Sequence, residues 1–298
     1  LGALDEVSLT GGEPFIKKDF VEIYGFFRQR YPRATLVITT NGFNTPLIAR
    51  KLGEILARGG APPILVFSLD GGPELHQQVR GVGDGFAKVR RSIEAARSLH
   101  TGLRIVLSYT ILPFNYRDLE AVYGLSVDLD ASFTMRFGTK SDIYYGNADW
   151  ACTWARSQVD EVHGIVGRIV KDMLGRRNLL MRALNPDTYF YSRMTDYQRH
   201  PRRIFECFSG THSFFMDPWG NVFPCITLPH ALGNVRGTPF DQFWFSEEAR
   251  EARAAIARWE CHCWTECEAI PSLQRTLRRR AVDRGGGAPV SVRTAADG

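Results

Sequence analysis

Five of the six cysteines lie in one C-terminal stretch, and their spacing is the most chemically informative feature of the sequence. They are Cys207, Cys225, Cys261, Cys263 and Cys267. Thiolates grouped in this way bind either a structural zinc ion or an iron–sulfur cluster. A disulfide framework is disfavoured because five is an odd number and disulfide scaffolds are usually shorter than about 100 residues. The remaining cysteine, Cys152, lies between Trp150 and Trp154 and is predicted to be a packed or half-buried thiol.

A second group of candidate residues follows the first apolar segment of the chain, in the order Gly11, Gly12, Glu13 and Pro14. The two glycines allow a ligand to approach the backbone because no Cβ stands in the way, and Pro14 restricts the turn. Glu13 supplies an acceptor for an ammonium group. A tight turn with an acidic residue near a helix N-terminus is the alternative interpretation of the same segment.

The segments that must position these residues alternate between strand and helix patterns. The predicted strands are Glu6–Thr10, Thr35–Thr40, Ile64–Leu69, Leu103–Thr110 and Phe133–Phe137, each nearly continuous in apolar residues, which is typical of parallel strands covered on both faces. Between them, apolar residues recur at helical spacing, as in Phe20, Ile23, Tyr24 and Phe27; Leu47, Ile48, Leu52 and Ile55; and Phe86, Val89, Ile93 and Ala96. This alternation predicts an α/β fold with a parallel sheet, either open and doubly wound or part of a barrel. Both arrangements place function at the carboxyl ends of the strands.

The second half of the chain is organised differently. Asn115 and Asp118 resemble a helix N-cap with an acidic third residue, and Asp149–Met173 is predicted to be a further helix. The cysteine-rich part is expected to contain short β-strands around a turn at Asp217–Gly220 and a helix at Ser246–Trp259. The predicted divisions are a barrel over 1–178, a polar connector over 179–204, a cysteine-rich domain over 205–275, and a basic helix end with a disordered tail over 276–298.

The composition excludes several classes of protein. The 298 residues are 44% hydrophobic and 23% charged, which is ordinary for a globular protein and unlike a disordered or fibrous one. The net charge of +5 is mild and arises in part from the arginines of 275–284, so it does not point to nucleic-acid binding. No apolar run approaches the roughly 18 to 20 residues that cross a bilayer, so we expect no membrane partner. Clustered free thiols favour a reducing, cytoplasmic location.

Three successive predicted strand ends resemble the radical S-adenosylmethionine (SAM) superfamily. Gly11–Pro14, after the apolar run Val7–Thr10, is similar to the family motif that binds the methionine amino group of the cofactor. Thr39–Gly42 ends the next strand as it does in many members. Ser68–Gly71, followed by Glu74, His76, Arg80 and Gly81, is similar to a stretch of the subgroup with a C-terminal SPASM or twitch domain.

This resemblance implies a partial (β/α)6 TIM-like barrel, whose first βα unit is absent from this chain, with SAM bound across the strand ends. The implied cofactor-binding residues are Gly11, Gly12, Glu13, Pro14, Thr40, Asn41, Ser68, Asp70 and Arg80. Strand ends of a barrel share one face, so hydrogen-bonding side chains there would meet the amino-acid and ribose groups of one ligand. His76 is a further candidate contact, and Arg136 is a candidate anchor for an anionic substrate group. A solvated surface position is the alternative for both.

The C-terminal cysteines resemble the same subgroup. Twelve residues separate Cys207 from Gly220 and four separate Gly220 from Cys225, which reproduces the SPASM and twitch pattern. A [4Fe–4S] cluster with four thiolates needs two further cysteines. The candidates are Cys261, Cys263 and Cys267, of which Cys267 is preferred. The twitch form with one auxiliary [4Fe–4S] cluster is the better match, and structural zinc is the alternative.

The Cys-x3-Cys-x2-Cys motif that holds the catalytic [4Fe–4S] cluster of the family does not occur in this sequence. We expect it on a missing N-terminal segment, so that this chain alone is inactive. The resemblance implies cleavage of SAM to a 5′-deoxyadenosyl radical, modification of a ribosomally made peptide or protein, and an electron donor such as flavodoxin or ferredoxin. A dehydrogenase or epimerase of a small molecule is the alternative enzyme. A non-catalytic scaffold with a structural metal is the alternative from another class.

Overall fold

The computed structural model describes residues 2–139, 146–147, 149, 152–176 and 186–284. Its N-terminal part contains a parallel sheet of β1 (Glu6–Leu9), β2 (Thr35–Thr40), β3 (Ile64–Ser68), β4 (Ile105–Ile111) and β5 (Ser132–Phe137). Neighbouring strands in the sheet are also consecutive in the sequence, and every pair is parallel. Parallel neighbours require crossover connections, which here are helical. The predicted α/β class, a partial TIM-like barrel with a separate cysteine-rich domain, is confirmed.

The crossovers contain α1 (Phe20–Arg30), α2 (Thr45–Ala57), α3 (Pro73–Arg80), α4 (Gly85–Leu99) and α5 (Leu119–Asp128). Short 3-10 turns at Pro14–Ile16 and Tyr116–Asp118 precede α1 and α5. The apolar spacing predicted α1, α2 and α4 correctly, because their spaced apolar residues form the buried face of each helix. In α3 only His76 is buried, so the sequence offers no apolar period there.

The strand register divides the side chains of the sheet between two faces. One face packs against the helices and contributes buried residues: Leu36, Ile38, Leu65, Phe67, Leu107, Tyr109 and Met135. The opposite face, toward the carboxyl edge, carries Ser8, Thr39, Ser68, Ser108, Thr110, Thr134 and Arg136. The expectation of strands that are apolar on both faces is therefore wrong at this edge, where one face is polar. We call this set the polar face.

Asn115 does not act as the predicted helix cap, because its side chain makes no capping hydrogen bond. Its amide group is buried and is used between two loops instead. The Asn115 Nδ2 atom donates to the backbone oxygens of Asp70 and Thr110, each at 2.9 Å. The Asn115 Oδ1 atom accepts from the Leu112 amide at 2.7 Å. Asn115 thereby connects the segments that follow β3 and β4.

After β5 the chain forms α6 (Arg156–Gly175), and the C-terminal part continues with α7 (Pro186–Arg199) and an antiparallel sheet of β6 (Phe215–Met216), β7 (Asn221–Phe223) and β8 (Gly233–Asn234). It ends with α8 (Phe240–Trp244), α9 (Glu247–Ala257) and α10 (Glu266–Arg284). Helix α7 lies where the sequence predicted a polar connector. It buries Phe190, Tyr191 and Met194, a stripe too short to show a helical period in a polar segment. Trp150, the start of the predicted connector and the tail at 285–298 lie outside the described residues.

The chain divides into two compact units. The first holds the described residues up to Gly138 together with Cys152–Ile165, and the second holds the other described residues. The domain limits at 178, 204 and 275 remain predictions. In the part of the chain that the structure describes, no helix has both the length and the apolar character needed to cross a membrane.

Candidate cofactor site and cysteine group

Glu13 connects the loops that follow β1 and β2. Its Oε1 atom accepts from the Phe15 amide at 3.2 Å, which caps the 3-10 turn at Pro14–Ile16. The Asn41 amide donates to Oε2 at 2.7 Å, and the Thr40 hydroxyl lies 2.9 Å from both carboxylate oxygens. Burial raises the pKa of Glu13, and these hydrogen bonds oppose the rise. The carboxylate therefore already has protein donors, and any ligand ammonium group would share it with them.

The backbone beside Glu13 is open. Gly11 and Gly12 are exposed, and a Cβ added at either would meet no atom within 4 Å. Gly42, in the neighbouring loop, differs because its φ is 74° and an added Cβ would lie 3.1 Å from atoms of Phe67 and Val89. Gly42 therefore serves the packing of the fold. The free space at Gly11 and Gly12 fits the close approach of a ligand with polar groups, such as SAM.

Thr40 and Asn41 contribute to the loop through their own hydrogen bonds. Thr40 lies on the helix side of the sheet, and its Oγ1 atom accepts from the Gly42 amide at 3.1 Å while its hydroxyl donates to Glu13. The Asn41 Oδ1 atom accepts from the Phe43 amide at 2.9 Å. The structure thus brings both residues to Glu13, as the sequence predicted. Their direct contact with a cofactor remains a prediction.

The polar face extends from this edge across β3, β4 and β5. Ser68 pairs in register with Ser108 of the neighbouring strand. The Nη1 atom of Arg136 donates to the Ser108 Oγ atom at 3.1 Å. Sequence reasoning selected Ser68 and Arg136 but missed Ser108 and Thr110. The available signal was polar residues at every second position of β4, within a segment that otherwise looked apolar.

Asp70 and Arg80 form a buried ion pair in the loop after β3. The Nε atom of Arg80 donates to the Asp70 Oδ2 atom at 2.6 Å, and the Thr110 amide donates to Oδ1 at 2.7 Å. The Asp70 side chain is 0% exposed and that of Arg80 is 30% exposed. In the same loop, the Gly72 amide donates to Asp118 at 2.8 Å. The structure brings Asp70 and Arg80 together, where they connect β3, α3 and β4.

His76 completes this loop from the buried side of α3, in contrast to the surface position considered above. Its Nδ1 atom accepts from the Asp70 amide at 3.1 Å, so the proton of the neutral ring is on Nε2. Burial lowers the pKa of His76 to about 4, and the nearby Asp70 opposes this shift. The imidazole is therefore neutral near pH 7. Its Nε2 atom has no hydrogen-bond partner among the described residues and lies close to Gly85.

The cysteines of the C-terminal part are free thiols, and two of them, Cys207 and Cys225, flank the hairpin of β6 and β7 in the sequence. Between these strands, the Asp217 Oδ1 atom accepts from the Trp219 and Asn221 amides, each at 2.9 Å. Gly220 completes the turn with a φ of 89°. The predicted turn is thus confirmed. It returns the chain so that Cys207 and Cys225 lie on the two flanks of one hairpin.

Three of these thiols have a raised pKa, and burial is the main cause in each case. Burial raises the pKa of Cys225, and the charge of Cys263 adds to this effect. Burial also raises the pKa of Cys261, and it raises that of Cys263 to about 11; the charge of Cys207 adds to both shifts. Thiols that resist ionisation need a bound cation before they can act as thiolate ligands. This all-sulfur donor set fits an iron–sulfur cluster.

Cys267 is exposed, in contrast to these four thiols, and its role as the preferred ligand remains a prediction. Among the described residues, no three His, Cys, Asp or Glu side chains converge closely enough to hold a single metal ion. Sequence reasoning missed Glu268, which is 5% exposed and accepts hydrogen bonds from Ser209 and Ser213. An acidic residue in the first turn of a helix usually faces solvent, so its sequence position gave no signal. Glu268 connects α10 with the segment that follows Cys207.

Two family models match this chain, one over each of the segments in which these candidate sites lie. A model described as the radical SAM superfamily matches residues 1–125, and the SPASM model, described as an iron–sulfur cluster-binding domain, matches residues 207–268. Fe-coproporphyrin III synthase of Methanosarcina barkeri is 26% identical over 255 residues, which are 80% of this chain and 61% of that protein. AdoMet-dependent heme synthase of the same organism is 26% identical over 258 residues, with coverages of 80% and 68%. GTP 3′,8-cyclase of Photorhabdus laumondii is 31% identical over 133 residues, with coverages of 45% and 38%.

The chain therefore carries a radical SAM region at residues 1–125 and a SPASM domain at residues 207–268. Members of this superfamily are enzymes, and the two domains imply SAM and [4Fe–4S] clusters as cofactors. The chain spans 61% of the length of the coproporphyrin synthase and 68% of the heme synthase. The open backbone at Gly11 and Gly12 suits the first cofactor, and the free thiols suit the second.

Proposed function

We propose that the protein to which this chain belongs uses SAM to abstract a hydrogen atom from its substrate. The open backbone at Gly11 and Gly12, held beside the polar face by Glu13, carries this proposal. When bound beside a reduced [4Fe–4S] cluster, SAM supplies the 5′-deoxyadenosyl radical that takes the hydrogen atom. The enzyme would accordingly be an oxidoreductase or a maturase.

The residues of this chain bind and orient the reactants. Gly11 and Gly12 would hold the amino-acid end of SAM, and Glu13 would offer a charge-assisted hydrogen bond to its ammonium group. Ser68 would donate or accept at the adjacent strand end. Asp70 and Arg80 act indirectly, because their hydrogen bonds fix the loop that follows Ser68.

A ribosomally made peptide is the first candidate substrate and rests on the resemblance to the SPASM and twitch subgroup. A small anionic molecule, for dehydrogenation or epimerisation, is the second candidate. It is favoured by the guanidinium of Arg136 on the polar face. The names of two relatives, a coproporphyrin synthase and a heme synthase that each align over 80% of this chain, also favour a small molecule. An electron donor such as flavodoxin or ferredoxin and a cytoplasmic location are parts of the same proposal. The free thiols favour the reducing compartment that this location provides.

The decisive experiment replaces Gly12 by valine in the longest natural form of the protein, after anaerobic cluster loading. A Cβ added at Gly12 meets no protein atom within 4 Å, so we expect the fold to be kept while SAM is excluded. Equilibrium dialysis with labelled SAM and the yield of 5′-deoxyadenosine should both fall to background. Gly53→Val, at an open position of α2, is the matched control and should retain both.

Glu13→Gln should weaken SAM binding by roughly tenfold to a hundredfold through loss of a charge-assisted hydrogen bond. Unchanged SAM affinity in both Gly12→Val and Glu13→Gln would place the cofactor elsewhere. The substrate classes are separated by incubating the loaded enzyme with the peptides encoded beside its gene and with small carboxylic acids. Only the class that contains the natural substrate should raise the rate of 5′-deoxyadenosine formation above the rate measured without added substrate.

A further inference from the structure

One buried cation of the SPASM-domain unit has no carboxylate partner. Arg203 is 9% exposed, and its Nε atom donates to the Phe205 carbonyl at 3.0 Å. Its Nη1 atom donates to the carbonyl of Ile256, and its guanidinium carbon lies 4.7 Å from the centre of the Trp259 ring. These partners are two backbone carbonyl groups and an aromatic ring. Among the described residues, no contact of Arg203 is with a carboxylate. The positive charge of Arg203 is therefore solvated but not neutralised.

Buried charges in proteins are normally paired, because an isolated ion loses several kcal/mol of hydration. The acidic residue that directly follows Trp259 does not serve as the partner. Glu260 instead pairs with Arg258 at 2.6 Å, and both of these side chains are more than half exposed. An anion that the polypeptide itself does not supply would complete the environment of Arg203.

The surroundings of Arg203 indicate which anion this is. Ile256, whose carbonyl accepts from Arg203, lines a cavity of about 220 Å3 together with Cys261 and with Glu260, whose carboxylate is the one paired with Arg258. The ring of Trp259, on which the guanidinium of Arg203 packs, belongs to a residue only two positions before Cys261. Arg203 itself lies four positions before Cys207 in the chain. The unpaired cation thus lies beside the group of thiols rather than at a distant surface.

We propose that Arg203 is the counter-charge of the auxiliary iron–sulfur cluster and raises its reduction potential. This inference rests on the cluster that the SPASM domain implies. A [4Fe–4S] cluster with four thiolates is anionic and gains one further negative charge on reduction. A nearby buried cation stabilises the reduced form more than the oxidised form, because attraction grows with the charge on the cluster. Arg203 is in this sense a positioning residue that tunes the cluster.

The test compares the midpoint potentials of the auxiliary cluster in the full chain and three variants, by redox titration followed by electron paramagnetic resonance. Arg203→Gln should lower the one-electron equilibrium constant for reduction at least tenfold, which is about 59 mV. Arg203→Lys retains the charge and should shift the potential by less than half of this amount. Arg258→Gln removes an equal charge from an exposed pair and should cause little shift, because solvent and salt screen it.

Iron and sulfide are measured for every sample, so that two kinds of failure are distinguishable. A wild-type chain that binds neither would overturn the cluster and this inference together. An intact cluster with equal potentials in wild type and Arg203→Gln would overturn the role of Arg203 alone, as would equal shifts in the Gln and Lys variants. Cluster loss in both Arg203 variants would also overturn it, since the charge-conserving exchange should keep the cluster. Loss in Arg203→Gln alone would support it.

Discussion

Replacing Asp70 by asparagine removes one charge from the buried ion pair behind the predicted SAM site. In the wild type, the two carboxylate oxygens accept from Arg80 and from the Thr110 amide, at 2.6 and 2.7 Å. Asparagine has one acceptor oxygen and one amide nitrogen at these positions. If the oxygen remains on the Thr110 amide, the new amide group faces the Nε–H of Arg80, and two donors oppose each other.

The magnitude follows from burial. Removing one partner of a fully buried pair costs about 3–5 kcal/mol. The Arg80 side chain is 30% exposed, so solvent recovers part of this cost, and we expect a loss of about 2–3 kcal/mol. The matched control is Glu54→Gln in the Arg50–Glu54 pair, which has the same 2.6 Å separation but side chains 59% and 46% exposed. That change should cost only about 0.3–0.5 kcal/mol.

Hydrogen exchange of the β4 amides, measured by mass spectrometry at increasing urea, reports the free energy of unfolding of this unit separately from the C-terminal part. A double-mutant cycle with Arg80→Met isolates the pair, and the double variant should cost clearly less than the sum of the two single variants. A loss in Asp70→Asn no larger than that in Glu54→Gln would refute the argument. Additive costs in the cycle would do the same, because they would show that Asp70 and Arg80 act independently.

Three further predictions concern other parts of the molecule. Burial lowers the pKa of His76 from 6.5 to about 4, so the unfolded chain binds a proton first as the pH falls. The free energy of unfolding should therefore decrease between about pH 6.5 and pH 4 by up to 2–3 kcal/mol, and a titration of His76→Gln should lack this part of the decrease. Gly42→Ala should destabilise the N-terminal unit by about 1–3 kcal/mol in urea unfolding, because its φ of 74° and the close Phe67 and Val89 side chains disfavour a Cβ. The control is Gly53→Ala, at an open position of α2, which should stabilise the unit by about 0.5–1 kcal/mol. Anaerobic reconstitution should yield about four irons per wild-type chain. The Cys207→Ala variant should lose this iron, and the Cys152→Ala variant should retain it. Loss of iron in Cys152→Ala would contradict the ligand assignment.

The parallel sheet could be predicted because its signal is local. Each strand is a short segment with several apolar residues, and the observed bounds differ from the predicted ones by at most two residues. The polar face could not be predicted in the same way. Ser108 lies between Leu107 and Tyr109, and only the register with β3 and β5 shows that it faces Ser68 and Arg136 rather than the core.

The environment of the motif residues also depends on contacts distant in sequence. The sequence predicted Glu13 and Asn41 as separate site residues at the ends of two strands. The hydrogen bond between them spans 28 positions and has no local signal. Asn115 looked like a helix cap because Asn is common before helices. Its amide instead contacts Asp70, 45 positions earlier, and no local pattern records that contact. Arg203 showed no sequence signal, because its isolation from acidic residues is visible only in three dimensions.

These contacts separate two roles within the site. The carboxylates of Glu13 and Asp70 are engaged by protein donors, so their first effect is to hold the loops between neighbouring strands in place. The backbone of Gly11 and Gly12 has no such neighbours and is the part of the motif that is open to a ligand. A substitution at Asp70 should therefore lower stability and weaken SAM binding together, whereas a side chain at Gly12 should abolish binding while stability is kept. The motif thus combines carboxylates that hold the loops at the edge of the sheet with glycines that leave room for a ligand at that edge. The glycines have this effect because they have no side chain.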